Sequence, residues 1–159
     1  RCPVRAVAGR ELEALRRIAR DPAMANLVFG VNRADGVLAV ALPMLQGELL
    51  RMQGKREQGI AAMREALAAE DKLNYTEPAD WPLPTRPYLA ASLLELGDAR
   101  GAAATYRQDL VTYPRNGWSL YGLAMAQHAL GDAAGAAESE RQYREAWSWA
   151  DAPLTASRY

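Results

Sequence analysis

The residues able to do chemistry are few and scattered. His128 is the single histidine of the 159-residue chain. It could act as a base or a ligand, but no Cys, His or carboxylate accompanies it on its own helical face three or four residues away. It reads as a packing or groove-lining residue. Cys2, the one cysteine, has no base near it in the sequence to activate a thiolate. A single cysteine also excludes an internal disulfide and a thiolate zinc cluster. Glu138 with Glu140, and Glu11 with Glu13, stand two residues apart and diverge on a helix, as solvated faces do. Arg16, Arg17 and Arg20 form a basic patch, but Glu13 lies three and four residues before the first two, which is surface pairing. Asn74-Tyr75-Thr76 fits the glycosylation sequon and reads as a chance match. The glycines are isolated and build no phosphate-binding loop. The expectation is a chain that is not an enzyme and holds neither cofactor nor metal.

Composition bounds what the elements can be. Half the residues are hydrophobic and 24% are charged, so the chain can bury a core. Thirty-two residues are Ala and one is Phe, which favours an all-helical fold, because Ala is the best helix former. Nineteen basic residues balance nineteen acidic ones, leaving no electrostatic case for nucleic acid or an anionic membrane. The longest apolar run, Val37 to Leu45, is too short to span a bilayer. Seventeen Arg against two Lys, with so much Ala, suggests the GC-rich genome of a bacterium.

An internal repeat organises the chain. Leu96-Gly97-Asp98-Ala99 superposes on Leu130-Gly131-Asp132-Ala133 at an offset of 34, and Leu89-Ala90, Gly101 and Ala102-Ala103 keep the same offset. The unit reads as helix, Gly-Asp turn, helix. Glycine supplies the positive φ that ends the first helix, and aspartate caps the second. Asn116 opens the next unit after Pro114. Gly54 continues the ladder 43 residues before Gly97, and the nine-residue excess falls in the proline-rich stretch from Asn74 to Pro84. Gly9 precedes Gly54 by 45 residues, with an eleven-residue excess around Ala23 to Asp35.

The spacing predicts helices over Arg10–Arg20, Val37–Gln53, Lys55–Lys72, Thr85–Leu96, Ala99–Tyr113, Gly117–Leu130 and Ala133–Trp149, without any β-sheet. It gives a partial unit with its connection over 1–36 and a repeat over 37–73. An insertion follows over 74–82, then repeats over 83–116 and 117–150 and a tail over 151–159. The chain reads as three full helix pairs after half of a fourth, the C-terminal piece of a longer protein. Leu12, Leu15 and Ile18 then need cover, from Met24, Leu27, Val28 and Phe29 or from another chain.

This pattern resembles the tetratricopeptide repeat. The slots of that signature hold Arg86, Leu89-Ala90, Leu93, Ala102, Tyr106 and Pro114 in the middle repeat. They hold Leu120, Leu123-Ala124, Gln127, Ala136, Glu140 and Ser148 in the last, and Pro43, Gln46-Gly47, Leu50, Gly59, Met63 and Asp71 in the first. Gln127 and Glu140 depart as a terminal repeat does where its outer face meets water. The stretch from Glu77 to Pro84, with Pro114 to Leu120, also looks like the C-terminal part of larger bacterial tetratricopeptide proteins. The resemblance implies an all-α, right-handed α-solenoid of antiparallel helix pairs, with the first helix of each pair on the concave side. Trp118, Tyr121, Met125 and His128 would then form one stripe, Tyr88, Ala91 and Glu95 the next, and Met44, Glu48, Arg51 and Met52 a third. Leu120, Leu123, Ala124 and Leu130 supply a separate buried face. The stripes suit a groove for a hydrophobic or amphipathic segment, or self-packing against the insertion, with Asp80 to Pro84 at one rim. Grooves of this family that hold C-terminal carboxylates use Lys and Asn, where this chain has Pro87, Ala91 and Met125.

Three functions remain open at this stage. One is a non-catalytic interaction module whose concave face holds a protein or peptide partner, without nucleic acid or membrane. The second is an accessory docking or dimerisation region of an enzyme whose catalytic part lies upstream. The third is a structural cap on a long superhelix. A homo-oligomer stays open in each.

Overall fold

The computed structural model describes residues 3–158; Cys2 lies outside them. Seven α-helices follow one another: α1 Pro3–Ala19, α2 Ala34–Met52, α3 Arg56–Glu70, α4 Thr85–Leu96, α5 Ala99–Thr112, α6 Gly117–Ala129 and α7 Ala133–Ala146. The fold is all-α, and every helix expected from the spacing is present. The chain divides into two compact units, Arg1–Thr85 and Arg86–Tyr159.

In the first unit α2 packs against α1 and α3. Its core holds Leu12, Val40, Met44, Ile60, Ala62, Met63 and Ala66. The α2–α3 crossing is tight because Gly47 and Gly59 face each other. A Cβ at Gly59 would stand 2.9 Å from the Gly47 carbonyl oxygen. Pro43 sits inside α2, so the Ala39 carbonyl has no N–H four residues on to receive.

Two expectations for this unit are corrected. Gly9 makes no turn: α1 runs through it, and it is not among the positive-φ glycines. A lone helical glycine costs only about 1 kcal/mol relative to Ala, and no capping residue follows it to stop the helix. The stretch after α1 also holds a short hairpin, with Val28 paired to Arg33 and Phe29 to Asn32. Gly30, at φ 66, occupies the first turn position, where a two-residue hairpin of the II′ type requires glycine. Leu27 and Val28 are exposed there, and so is Ile18 on α1, so that part of the expected cover is not made. Leu12 is buried nonetheless.

The three turn glycines behave as the ladder requires. Gly54, Gly97 and Gly131 have φ of 80, 94 and 75. After each, the next amide reaches back to the last turn of the preceding helix: Lys55 to the Leu50 carbonyl at 2.9 Å, Asp98 to Leu93 at 2.9 Å and Asp132 to Gln127 at 3.0 Å. This is a Schellman closure made three times. Asp98 then caps α5 through the Gly101 amide at 2.8 Å, and Asp132 caps α7 through Gly135 at 2.9 Å.

In the second unit α6 packs against α5 and α7. Leu89, Ala90, Leu93, Ala102, Tyr106, Leu120, Leu123, Ala124 and Ala136 are buried. Leu130, expected on that face, closes α6 and is exposed instead. Gly122 admits the Tyr106 ring, which occupies the space a Cβ would need.

Candidate functional site

The nine residues expected to line a groove divide between the units. In the first, Met44 lies in the core at 5% exposure and presents no side chain to a partner. Glu48 is held by Arg51 at 3.0 Å, and Met52 is half-buried. A hollow of about 500 Å³ opens over α2, with Arg16, Leu42, Pro43, Gln46 and Lys72 in its wall. Arg16 bonds Gln46 at 2.9 Å and Glu13 at 2.5 Å, the latter being the surface pairing expected.

The proline-rich insertion closes back within its own unit. Asp80 Oδ2 accepts from the Val31 amide at 3.2 Å, the Asn32 amide at 3.2 Å and Asn32 Nδ2 at 2.8 Å. Asn32 Oδ1 in turn accepts from the Asn74 amide at 2.7 Å. These bonds, from the Asn32 side chain above all, hold the Asp80 carboxyl below its ordinary pKa. The two stretches that interrupt the 34-residue period are thus clasped together.

In the second unit Tyr88 is buried at 9% exposure and, like Met44, offers no surface. Trp118, Tyr121, Met125 and His128 lie along α6. Trp118 meets Trp147, just after α7, edge to face at 4.8 Å, and Tyr121 meets Tyr143 of α7 at 5.5 Å. Tyr143 stacks on Trp147 at 6.1 Å. Such contacts between rings add to the area they bury. Trp118 and Tyr121 remain half-exposed, while Met125 stands out at 46%. His128 Nε2 is 2.7 Å from Glu140 of α7, a carboxylate that sequence spacing along one helix had no means to find. This bond lowers the Glu140 pKa. Glu138, held by Arg141 and then Gln142, falls to about 2 on the solvated side of α7.

Beneath this surface lies a polar knot between α5 and α6. Asp109, 1% exposed, accepts from Ser119 Oγ at 2.6 Å and Asn116 Nδ2 at 2.8 Å through one oxygen. Its other oxygen has no hydrogen-bond partner. Burial pushes its pKa up against those two bonds and the charge of Arg86. Burial likewise drives Tyr106 up to about 12, although Ser157 hydrogen-bonds its hydroxyl.

Sequence reasoning missed Tyr143, Trp147, Ser157 and Arg158. The first two could have been found, since aromatics four apart at the end of α7 match Trp118 and Tyr121 three apart on α6. Nothing marked the last two. Among the described residues no group of three or more His, Cys, Asp or Glu could hold a metal ion, and no helix is long and apolar enough to cross a membrane. At its surface the second unit carries the half-exposed rings of Trp118 and Tyr121 and the exposed thioether of Met125, and Glu95 is paired with Arg158. Comparison with protein-family models, with characterised proteins and with solved structures finds no match to the chain.

Proposed function

We propose that the chain is a non-catalytic interaction module, a right-handed α-solenoid of tetratricopeptide-like helix pairs whose concave face holds a protein segment. One observation carries the reading. Gly47 with Gly59, Ala90 with Ala102, and Ala124 with Ala136 each stand twelve apart, every member is buried, and a positive-φ glycine lies between the two. The first and last of these sets join helices that pack on each other, and the middle set keeps the same spacing and burial, which supports a stack of nearest-neighbour pairs. The partner surface in this reading is α6 with Glu95: Trp118, Tyr121, Met125 and His128.

Two measurements test it. Ala136→Leu overpacks the joint and should cost about 1–3 kcal/mol. Ala134→Leu, on an exposed position, should cost far less. Equal melting temperatures would break the repeat register. With a partner recovered by the full-length protein, Trp118→Ala should weaken binding by about 2 kcal/mol or more. Because Trp118 also packs on Trp147, melts must accompany the binding curves. A variant that unfolds before it loses affinity would remove Trp118 from the partner surface.

A further inference from the structure

The chain does not stop at α7 but turns back over the second unit. Trp147 Nε1 donates to the Ala152 carbonyl at 2.7 Å, and the Leu154 amide donates to the Tyr143 hydroxyl at 3.2 Å. The segment thus crosses the aromatic group to which Tyr121 belongs. Ser157 then meets the Tyr106 hydroxyl at 2.5 Å, where that ring reaches α6 at Gly122. Arg158 ends the path on α4, bonding Ser92 Oγ at 3.3 Å and pairing with Glu95. Its side chain is only 7% exposed.

The manner of this seating is that of a bound peptide. Asp151, Ala152, Pro153, Thr155 and Ala156 are exposed, while Ser157 is buried and Arg158 largely so. The segment contains no helix or strand. It lies on the helices and sends two side chains in. A guanidinium leaves water only where a carboxylate receives it, and Glu95 is that carboxylate. Every bond made is one that a separate chain of the same sequence could make.

We propose that Asp151–Arg158 occupies in cis the seat of the partner, which is an extended peptide carrying a small hydroxyl residue followed by arginine and must displace it. The proposal rests on the reading of this unit as a partner surface. A tether gives the segment a millimolar effective concentration, so it lowers the partner's apparent affinity and the seat answers only to a strong or abundant ligand.

The test uses the full chain and a fluorescent peptide Leu-Thr-Ala-Ser-Arg-Tyr. Arg158→Glu sets two carboxylates against each other and should free the segment. The peptide should then bind this variant at least about tenfold tighter than the unaltered chain. Glu95→Arg should abolish binding of that peptide, and a peptide with Glu in place of Arg should bind Glu95→Arg. Thermal melts establish that each variant is folded. Independently, amides 154–158 of the unaltered chain should be protected from exchange, and Arg158→Glu should lose that protection without loss in α4 to α7. Equal affinity for the unaltered chain and Arg158→Glu overturns the proposal, as does binding that survives Glu95→Arg. A dimer formed through exchanged segments also overturns it, in favour of a second copy as the occupant. Loss of the native partner with Trp118→Ala reports on the wider reading alone. The peptide titration therefore fails or succeeds separately from it.

Discussion

Two hydrogen-bonded aspartates, one in each unit, are placed in opposite ways. Asp80 stands in a loop, takes three N–H donors on one oxygen and has its pKa lowered. Asp109 lies in the core, takes two donors on one oxygen, leaves the other unpartnered and has its pKa raised. The contrast shows that hydrogen bonds set the sign only where water still reaches the group. Where water is excluded, two short bonds do not offset the lost hydration. Asp80 favours its charge and Asp109 tolerates it.

The largest effect should come from Asp109. Its replacement by alanine takes the acceptor from buried Ser119 and half-buried Asn116, at a cost of about 3 kcal/mol in denaturant unfolding. Asp109→Asn keeps one oxygen for both donors, puts an amide where the unpartnered oxygen stood, and should cost under about 1 kcal/mol. Equal losses would show that the charge itself is needed.

Next comes Gly30. A Cβ there runs into the Asp80 carboxylate, and φ 66 strains any L side chain. Gly30→Ala should cost about 1–2 kcal/mol. Its effect should overlap that of Asp80→Ala, since both break one clasp, so the double mutant should fall well short of the sum. Full additivity would mean that Asp80 does not hold the hairpin.

The smallest effect is a difference in sign under acid. The folded pKa of Asp80 is lowered, so its contribution is complete above the unfolded value of about 3.9 and is lost as pH falls through the folded one. The folded pKa of Asp109 is raised, so its ionised form weighs against the fold, and the second unit gains as pH falls through that value. Amide exchange, corrected for its intrinsic pH dependence, should therefore quicken at Val31 and Asn32 on acidification and slow at Ser119. Movement in the same direction at both places would break the contrast.

Local rules made the helices readable. The glycine ladder located the turns at Gly54, Gly97 and Gly131, and aspartate after two of them marked the caps. Small residues twelve apart marked the joints. Gly9 misled because glycine ends a helix only when its neighbours help, and there they continue it. The clasp was out of reach for another reason. The ladder showed where residues were in excess, but Asn32 and Asp80 are 48 apart with no period between them. The seating of Ser157 and Arg158, 51 and 63 residues from Tyr106 and Glu95, is equally non-local. Of the nine residues expected to line a groove, those of α6 and Glu95 reach the surface and Met44 and Tyr88 do not; helical spacing shows which side of a helix is apolar. It does not show that a side has been closed, as at Met44 and Tyr88.

The turn glycines have one further consequence. Nothing lies within 4 Å of the position a Cβ would take at Gly54, Gly97 or Gly131. In the first unit both long connections, clasped by Asn32 and Asp80, lie where α2 begins and α3 ends, opposite the turn at Gly54. That helix pair therefore has one plain end and one elaborated end. The plain end is where foreign sequence can be spliced in. A short flexible loop or a small reporter domain inserted beside Gly54 would project into open solvent and leave the crossing of Gly47 with Gly59 untouched.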